Sequence, residues 1–353
     1  MRQIVVFGSA LVLATVLTAC SDDGVTGSGA GGQASTSNDG STSASGGAAS
    51  TATTSAQGGA SATGSGGAST SSDVTVGGAL CVGKTGMTGD QPYSLMVDGV
   101  MRTFRVHAPP GYDATAETPL LFVFHGYTET ADQIEMITKM TPETDAHGYL
   151  VVYAQGLGTS WNAGNCCGSS QTSQVDDEKF VLAMLDQIES DYCVDDHRIF
   201  SSGFSNGGML SHRLACEVAD KFAAIGPVSG TMALDTCSPS RPVPVMSFHG
   251  TGDFVVQYAD GGFSGGEGAV QTSTEWAARN GCDTTSTVTF DQGDAKCQTW
   301  GNCDAGADVT LCTLTNGGHQ WPGGNSAGPT GLINMDISAS SALLDFFDAH
   351  PMP

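Results

Sequence analysis

Ser205 stands between glycines in Gly203-Phe204-Ser205-Asn206-Gly207-Gly208, directly after the apolar stretch Ile199-Phe200 and the small residues Ser201-Ser202. A serine hydroxyl is a weak nucleophile at neutral pH, so acyl transfer through it needs a histidine base and a carboxylate that orients the base. Both lie downstream in the order serine, acid, histidine: Asp253 in His249-Gly250-Thr251-Gly252-Asp253 and His319 in Gly317-Gly318-His319-Gln320-Trp321-Pro322-Gly323. The chemistry these types predict is attack by Ser205 on a carbonyl carbon, with His319 moving the proton and Asp253 stabilising the imidazolium. The G-x-S-x-G pattern alone is weak evidence in a chain with 49 glycines, since Ser264 and Ser326 satisfy it too. Those two sit among loop-forming residues, whereas Ser205 follows an apolar run and precedes a helical one. Asp260 and Asp308 compete with Asp253 for the acid role.

Such groups need elements to hold them. Met209, Leu210, Leu214 and Val218 fall on one face of a helix starting at the serine, the geometry of a strand–turn–helix elbow. Pro244–Phe248 reads as a buried strand leading into the Asp253 loop, and Val309–Leu314 as a strand leading into the His319 loop. Pro119–Phe124 is another, running into His125-Gly126-Tyr127-Thr128. The backbone N–H groups of Tyr127 and Asn206 are the expected oxyanion donors. His125 is expected to close its strand structurally. Asp177–Asp191 and Ser338–Ala349 carry helical apolar faces. Strands alternating with helices imply an α/β protein with a mostly parallel central sheet and helices on both faces, whose chemistry gathers at the strands' C-terminal edge.

Four segments together resemble the secreted polyhydroxybutyrate depolymerase and feruloyl esterase family: Phe124-His125-Gly126, Gly203–Gly208, His249–Asp253 and Gly318–Gly323. Trp161–Gly168, Asp195–Phe200 and Phe222–Gly230 extend the resemblance, which covers the chain from about Cys81 onward. It implies an α/β-hydrolase fold with Ser205, Asp253 and His319 as triad, and it specifies the family better than the substrate. Gly252 departs from it, relatives often having another small residue there. Trp161 and Trp321 are candidates to wall an acyl pocket, for a ring such as ferulate or for a hydroxyalkanoate chain; for Trp161 a structural role fits equally. The expected substrate is a feruloyl or related plant-polysaccharide ester, because no further module follows the last helix to hold an insoluble polyester. A polyhydroxybutyrate depolymerase is the alternative. An inactive hydrolase scaffold serving as a surface binding protein is a reading of another class, against which the complete residue set argues.

Arg2, the apolar stretch Ile4–Leu17 and Leu17-Thr18-Ala19-Cys20 resemble a bacterial lipoprotein signal, with residues 1–19 removed and Cys20 acylated. Such a stretch is short for a membrane span, so the lipid at Cys20 would anchor the protein at the cell envelope. Residues 20–73 are nearly all Gly, Ser, Thr and Ala, a composition that cannot bury a core and predicts a tether with a reach of roughly 40 Å. Residues 74–353 suffice for one α/β domain. Acylation of Cys20 would leave ten of the eleven cysteines, an even number suited to an oxidising compartment. Cys216 with Cys237, and pairs among Cys282, Cys297, Cys303 and Cys312, are expected from proximity. Adjacent Cys166 and Cys167 are expected to reach different partners, such as Cys81 and Cys193. With 36 Asp and Glu against 12 Lys and Arg, the chain is a poor partner for nucleic acid or anionic lipid. Neither H-E-x-x-H nor paired Cys-x-x-Cys spacing is present, and the expectation is a monomer with neither metal nor cofactor.

Overall fold

In the computed structural model, the described residues are 81–262 and 266–353. The expected signal segment, Cys20, the tether and Ser264 lie outside them. Ten strands form one sheet in the order β1-β2-β4-β3-β5-β6-β7-β10-β9-β8. Its centre is parallel: β4 (Leu150–Ala154), β3 (Thr118–Phe124), β5 (Val194–Phe204), β6 (Ala224–Val228), β7 (Val245–Gly250) and β10 (Val309–Leu314). Antiparallel hairpins extend both edges, β1 (Gly89–Val97) with β2 (Val100–Ala108), and β8 (Thr287–Gln292) with β9 (Ala295–Trp300).

Every residue of β3 and β4 is buried, as parallel strands covered on both faces must be. Their side chains divide by the two-residue period. Leu120, Phe122 and Phe124 pack with Phe180, Met184 and Ile188 of α4 (Asp177–Asp191) and with Met209, Leu210 and Leu214 of α5 (Asn206–Glu217). Leu121 and Val123 face the other way, into a layer with Ile134 and Ile137 of α1 (Ala131–Thr138), Met140 of α2 (Met140–His147) and Leu343, Leu344 and Phe347 of α7 (Ala339–Ala349). A third cluster joins Trp276 of α6 (Ala269–Arg279) to Val245, Val309 and Leu311. α3 (Gly168–Thr172) is a short turn of helix after the Cys166-Cys167 loop. The sheet with helices on both faces is the α/β-hydrolase fold.

Five disulfides tie the described residues: Cys81–Cys193, Cys166–Cys167, Cys216–Cys237, Cys282–Cys303 and Cys297–Cys312. They place the domain in an oxidising, extracytoplasmic setting. The expected separation of Cys166 and Cys167 onto Cys81 and Cys193 is corrected here. Asp191 O accepts from the N–H groups of Thr85 and Gly86 at 3.0 and 2.8 Å, laying the N-terminal segment beside Cys193 at the start of β5. Cys166 and Cys167 instead belong to the loop that meets Asn206, at the opposite end of that strand.

Candidate active site

Ser205 sits between β5 and α5 with φ 54° and ψ −120°, a conformation that costs a non-glycine residue on the order of 1–3 kcal/mol. The surroundings impose it. Ser205 N–H donates to Val228 O at 2.8 Å on the neighbouring strand, while Ser205 O accepts from Met209 N–H at 2.9 Å and starts the helix. The flanking glycines are required by proximity: a Cβ on Gly207 would lie 2.2 Å from Phe124 O, and one on Gly203 would lie 2.5 Å from the Gly207 carbonyl carbon. The Ser205 side chain does not cap its own helix, which leaves the hydroxyl to the cavity it faces.

Asp253 lies just past the end of β7. Its Oδ1 accepts from the N–H groups of Val255 and Val256, both at 2.9 Å, and its Oδ2 is 2.7 Å from His319 Nδ1. His249, the last side chain before the turn, is fully buried; its Nε2 bonds Val256 O at 2.7 Å and lies 3.6 Å from Asp253 Oδ2. Burial pushes the His249 imidazole below its ordinary value, only partly opposed by Val256 O and the Asp253 charge. His319 is held through its backbone, since its N–H donates to Thr330 O at 2.8 Å and its carbonyl accepts from Thr330 Oγ1 at 2.6 Å. The Phe204 ring lies 4.7 Å from the imidazole. Ser205, Asp253 and His319 are 8 %, 4 % and 5 % exposed, and Ser205 and His319 line one cavity.

That cavity is about 510 Å³ and brings Ser205 and His319 together with Tyr127, Glu129, Met136, Val255 and Ser326. Residues 126–129 form a turn closed by Glu129 N–H donating to Gly126 O at 3.2 Å, with Thr128 at φ 70°. The Glu129 carboxylate folds back and accepts from Gly126 N–H at 2.8 Å, leaving the Tyr127 N–H unused among the described residues. Asn206 N–H, at the first position of α5, has no intrahelical partner by helix geometry. The Asn206 side chain accepts from Trp161 N–H at 2.7 Å and donates to Trp161 O at 3.0 Å, fixing the neighbouring loop to the elbow. His125 is buried, bonding Gly126 O at 2.7 Å and Gly156 N–H at 2.9 Å, and burial takes its imidazole down to about 4.

Trp161 and Trp321 do not line this cavity, contrary to the expectation that they wall an acyl pocket. Both are fully buried. Trp161 Nε1 donates to His125 O at 2.9 Å, and Trp321 Nε1 to Ser340 Oγ at 3.0 Å on α7, so the rings turn inward to satisfy their polar edges. Asp260 and Asp308, the competing acids, are not paired with His319; Asp260 Oδ1 accepts from Gly262 N–H at 3.1 Å. Glu129 escaped notice in the sequence. Its one signal there is a carboxylate three residues past the His-Gly pair that ends an apolar strand.

A serine at a strand–helix elbow, an acid–histidine pair on two strand-end loops and a cavity at the same sheet edge are the arrangement of an α/β-hydrolase site. Residues 102–261 match the profile of the family described as esterase PHB depolymerase. Feruloyl esterase B of Piromyces equi is 34% identical over 231 residues, 61% of this chain and 42% of that protein. A bifunctional acetylxylan esterase/xylanase of Neocallimastix patriciarum is 30% identical over 224 residues, 63% of this chain and 31% of that protein. The chain thus spans less than half of either relative's length. The fold is shared with an acetyl xylan esterase from Aspergillus awamori, with a TM-score of 0.54 at 15% identity over 73% of this chain and 99% of that one.

Proposed function

We propose that this chain is an extracytoplasmic serine carboxylic-ester hydrolase acting on feruloyl or related plant-polysaccharide esters. Ser205 attacks the ester carbonyl as His319 takes its proton; the tetrahedral oxyanion is received by the N–H groups of Tyr127 and Asn206. Collapse expels the alcohol, protonated by His319, and leaves acyl-Ser205. Water, deprotonated by His319, then releases the acid. Asp253 holds the imidazole in the tautomer that presents Nε2 to Ser205.

The observation that carries this reading is the 2.7 Å contact of His319 with Asp253, made behind a cavity that Ser205 and His319 line together. The name of the Piromyces equi relative supports ferulate as the acyl group. A second reading, hydrolysis of polyhydroxybutyrate or its oligomers, is favoured by the matching family's description. In either case we propose anchorage by acylated Cys20 through the tether of residues 20–73.

The test uses the full chain exported under oxidising conditions, with Ser205→Ala as blank. Release of ferulate from methyl ferulate is compared with release of 3-hydroxybutyrate from a polyester film and soluble oligomers. Ferulate release alone supports the polysaccharide-directed reading, and hydroxybutyrate release alone replaces it with the second. Wild-type activity in Ser205→Ala would overturn both.

A further inference from the structure

The cavity beside Ser205 contains one carboxylate, Glu129, and no lysine or arginine among its described lining residues. The titratable groups facing it are Tyr127, Glu129 and His319. Behind His319 stand Asp253 at 2.7 Å and the buried His249, so the one imidazole that could meet an anion is already matched to a carboxylate. Glu129 is not free to swing away: its Oε2 is held at 2.8 Å by Gly126 N–H, next to Tyr127, and its own N–H closes the same turn. Burial pushes its carboxyl above the ordinary glutamate value, while the Gly126 N–H and the nearby His319 favour the ionised form. A fixed negative charge in a partly desolvated cleft acts on whatever enters it more strongly than a surface charge does.

We propose that Glu129 determines acyl specificity, making the site reject acyl groups that carry a carboxylate and accept uncharged ones. The proposal rests on the esterase reading. A feruloyl ester is uncharged and passes; the monoester of a dicarboxylic acid meets Glu129 with no compensating cation. The same repulsion drives out the carboxylate product formed when water cleaves acyl-Ser205. Like charges within one small cavity at an intermediate dielectric discriminate by on the order of tenfold or more.

The test compares kcat/KM for p-nitrophenyl butyrate and p-nitrophenyl hydrogen succinate, which differ by a terminal carboxylate, in wild type, Glu129→Gln, Glu129→Ser and Asp345→Asn. Asp345 is exposed on α7 and lines a different cavity, so its exchange removes one charge from the molecule and none from the site. Labelling of Ser205 by a fluorophosphonate reports that each variant is folded. The expected result is a butyrate-to-succinate preference in wild type and Asp345→Asn that falls about tenfold in both neutral Glu129 variants. Inhibition by free ferulate should tighten by a similar factor in the same two variants. A preference unchanged by neutralising Glu129, in variants that still label, would overturn the proposal and leave the esterase reading intact. Absence of turnover and labelling in wild type would overturn both.

Discussion

Exchanging Asp253 for asparagine keeps an oxygen able to accept from the Val255 and Val256 N–H groups while replacing the carboxylate that faces His319. The loop keeps its internal bonds, but the amide admits the wrong imidazole tautomer. The expected outcome is a fall in kcat of on the order of 10⁴ with the melting temperature within a few degrees of wild type, read by ester hydrolysis and thermal unfolding. A loss smaller than tenfold would exclude Asp253 from the acid role. Asn206 makes a different prediction, because its side chain holds the Trp161 backbone at 2.7 and 3.0 Å and its own N–H, without an intrahelical partner, is the proposed second oxyanion donor. Asn206→Ala keeps the N–H and releases the loop, so kcat should drop roughly tenfold to a hundredfold with KM changed less. At this scale the chain order and the local context of Ser205 were legible in the sequence. The facing of Trp161 and Trp321 was not, since closeness to the chemistry along the chain does not say which way an indole points.

The elbow is where element geometry constrains residue choice most tightly. Gly207→Ala would put a methyl group 2.2 Å from Phe124 O at the end of β3, a backbone atom that cannot retreat without shifting the oxyanion turn. The expected cost is roughly 3 kcal/mol, seen as a melting temperature lowered by several degrees together with loss of esterase activity. Farther from the site, His107 on β2 bridges two elements: its Nδ1 is 2.7 Å from Asp90 on β1 and its Nε2 is 3.0 Å from Asp145 on α2. Burial lowers its pKa, but the bonds and charges of Asp90 and Asp145 outweigh this, and the net direction is upward. Because the folded value exceeds the unfolded one of about 6.5, the stabilisation is complete below that pH and fades as pH rises through the folded value. His107→Gln should therefore lower the melting temperature at pH 5.5 and differ less from wild type at pH 8.5. Equal differences at both would exclude the linkage. The buried strands β3 and β10 were legible as apolar runs of strand length. β1, β2, β8 and β9 were not, because these hairpin strands at the two ends of the sheet leave many residues exposed, which dilutes the apolar signal.

Across the whole molecule, the disulfides make stability depend on redox state. Cys216–Cys237 closes a loop of sequence separation 21 against the third core cluster, and replacing both cysteines with serine should cost roughly 3 kcal/mol of unfolding free energy in denaturant titrations. An unchanged midpoint would mean that the reduced chain is already as constrained. The formal net charge of −24 gives the molecule a general aversion to anions, and Glu129 concentrates it inside the cavity. The fold class could be read from the chain alone, and so could the candidates Ser205, Asp253 and His319 that the structure brings to one sheet edge, because they follow from local rules: side-chain reactivity, turn chemistry and the periodicity of apolar residues. Disulfide partners, the inward turn of the two tryptophans and the return of Glu129 onto Gly126 depended on distances between segments far apart in sequence or on how a turn closes in space. Only tertiary structure decides those, since packing and hydrogen-bond satisfaction select among arrangements that local sequence leaves equally open.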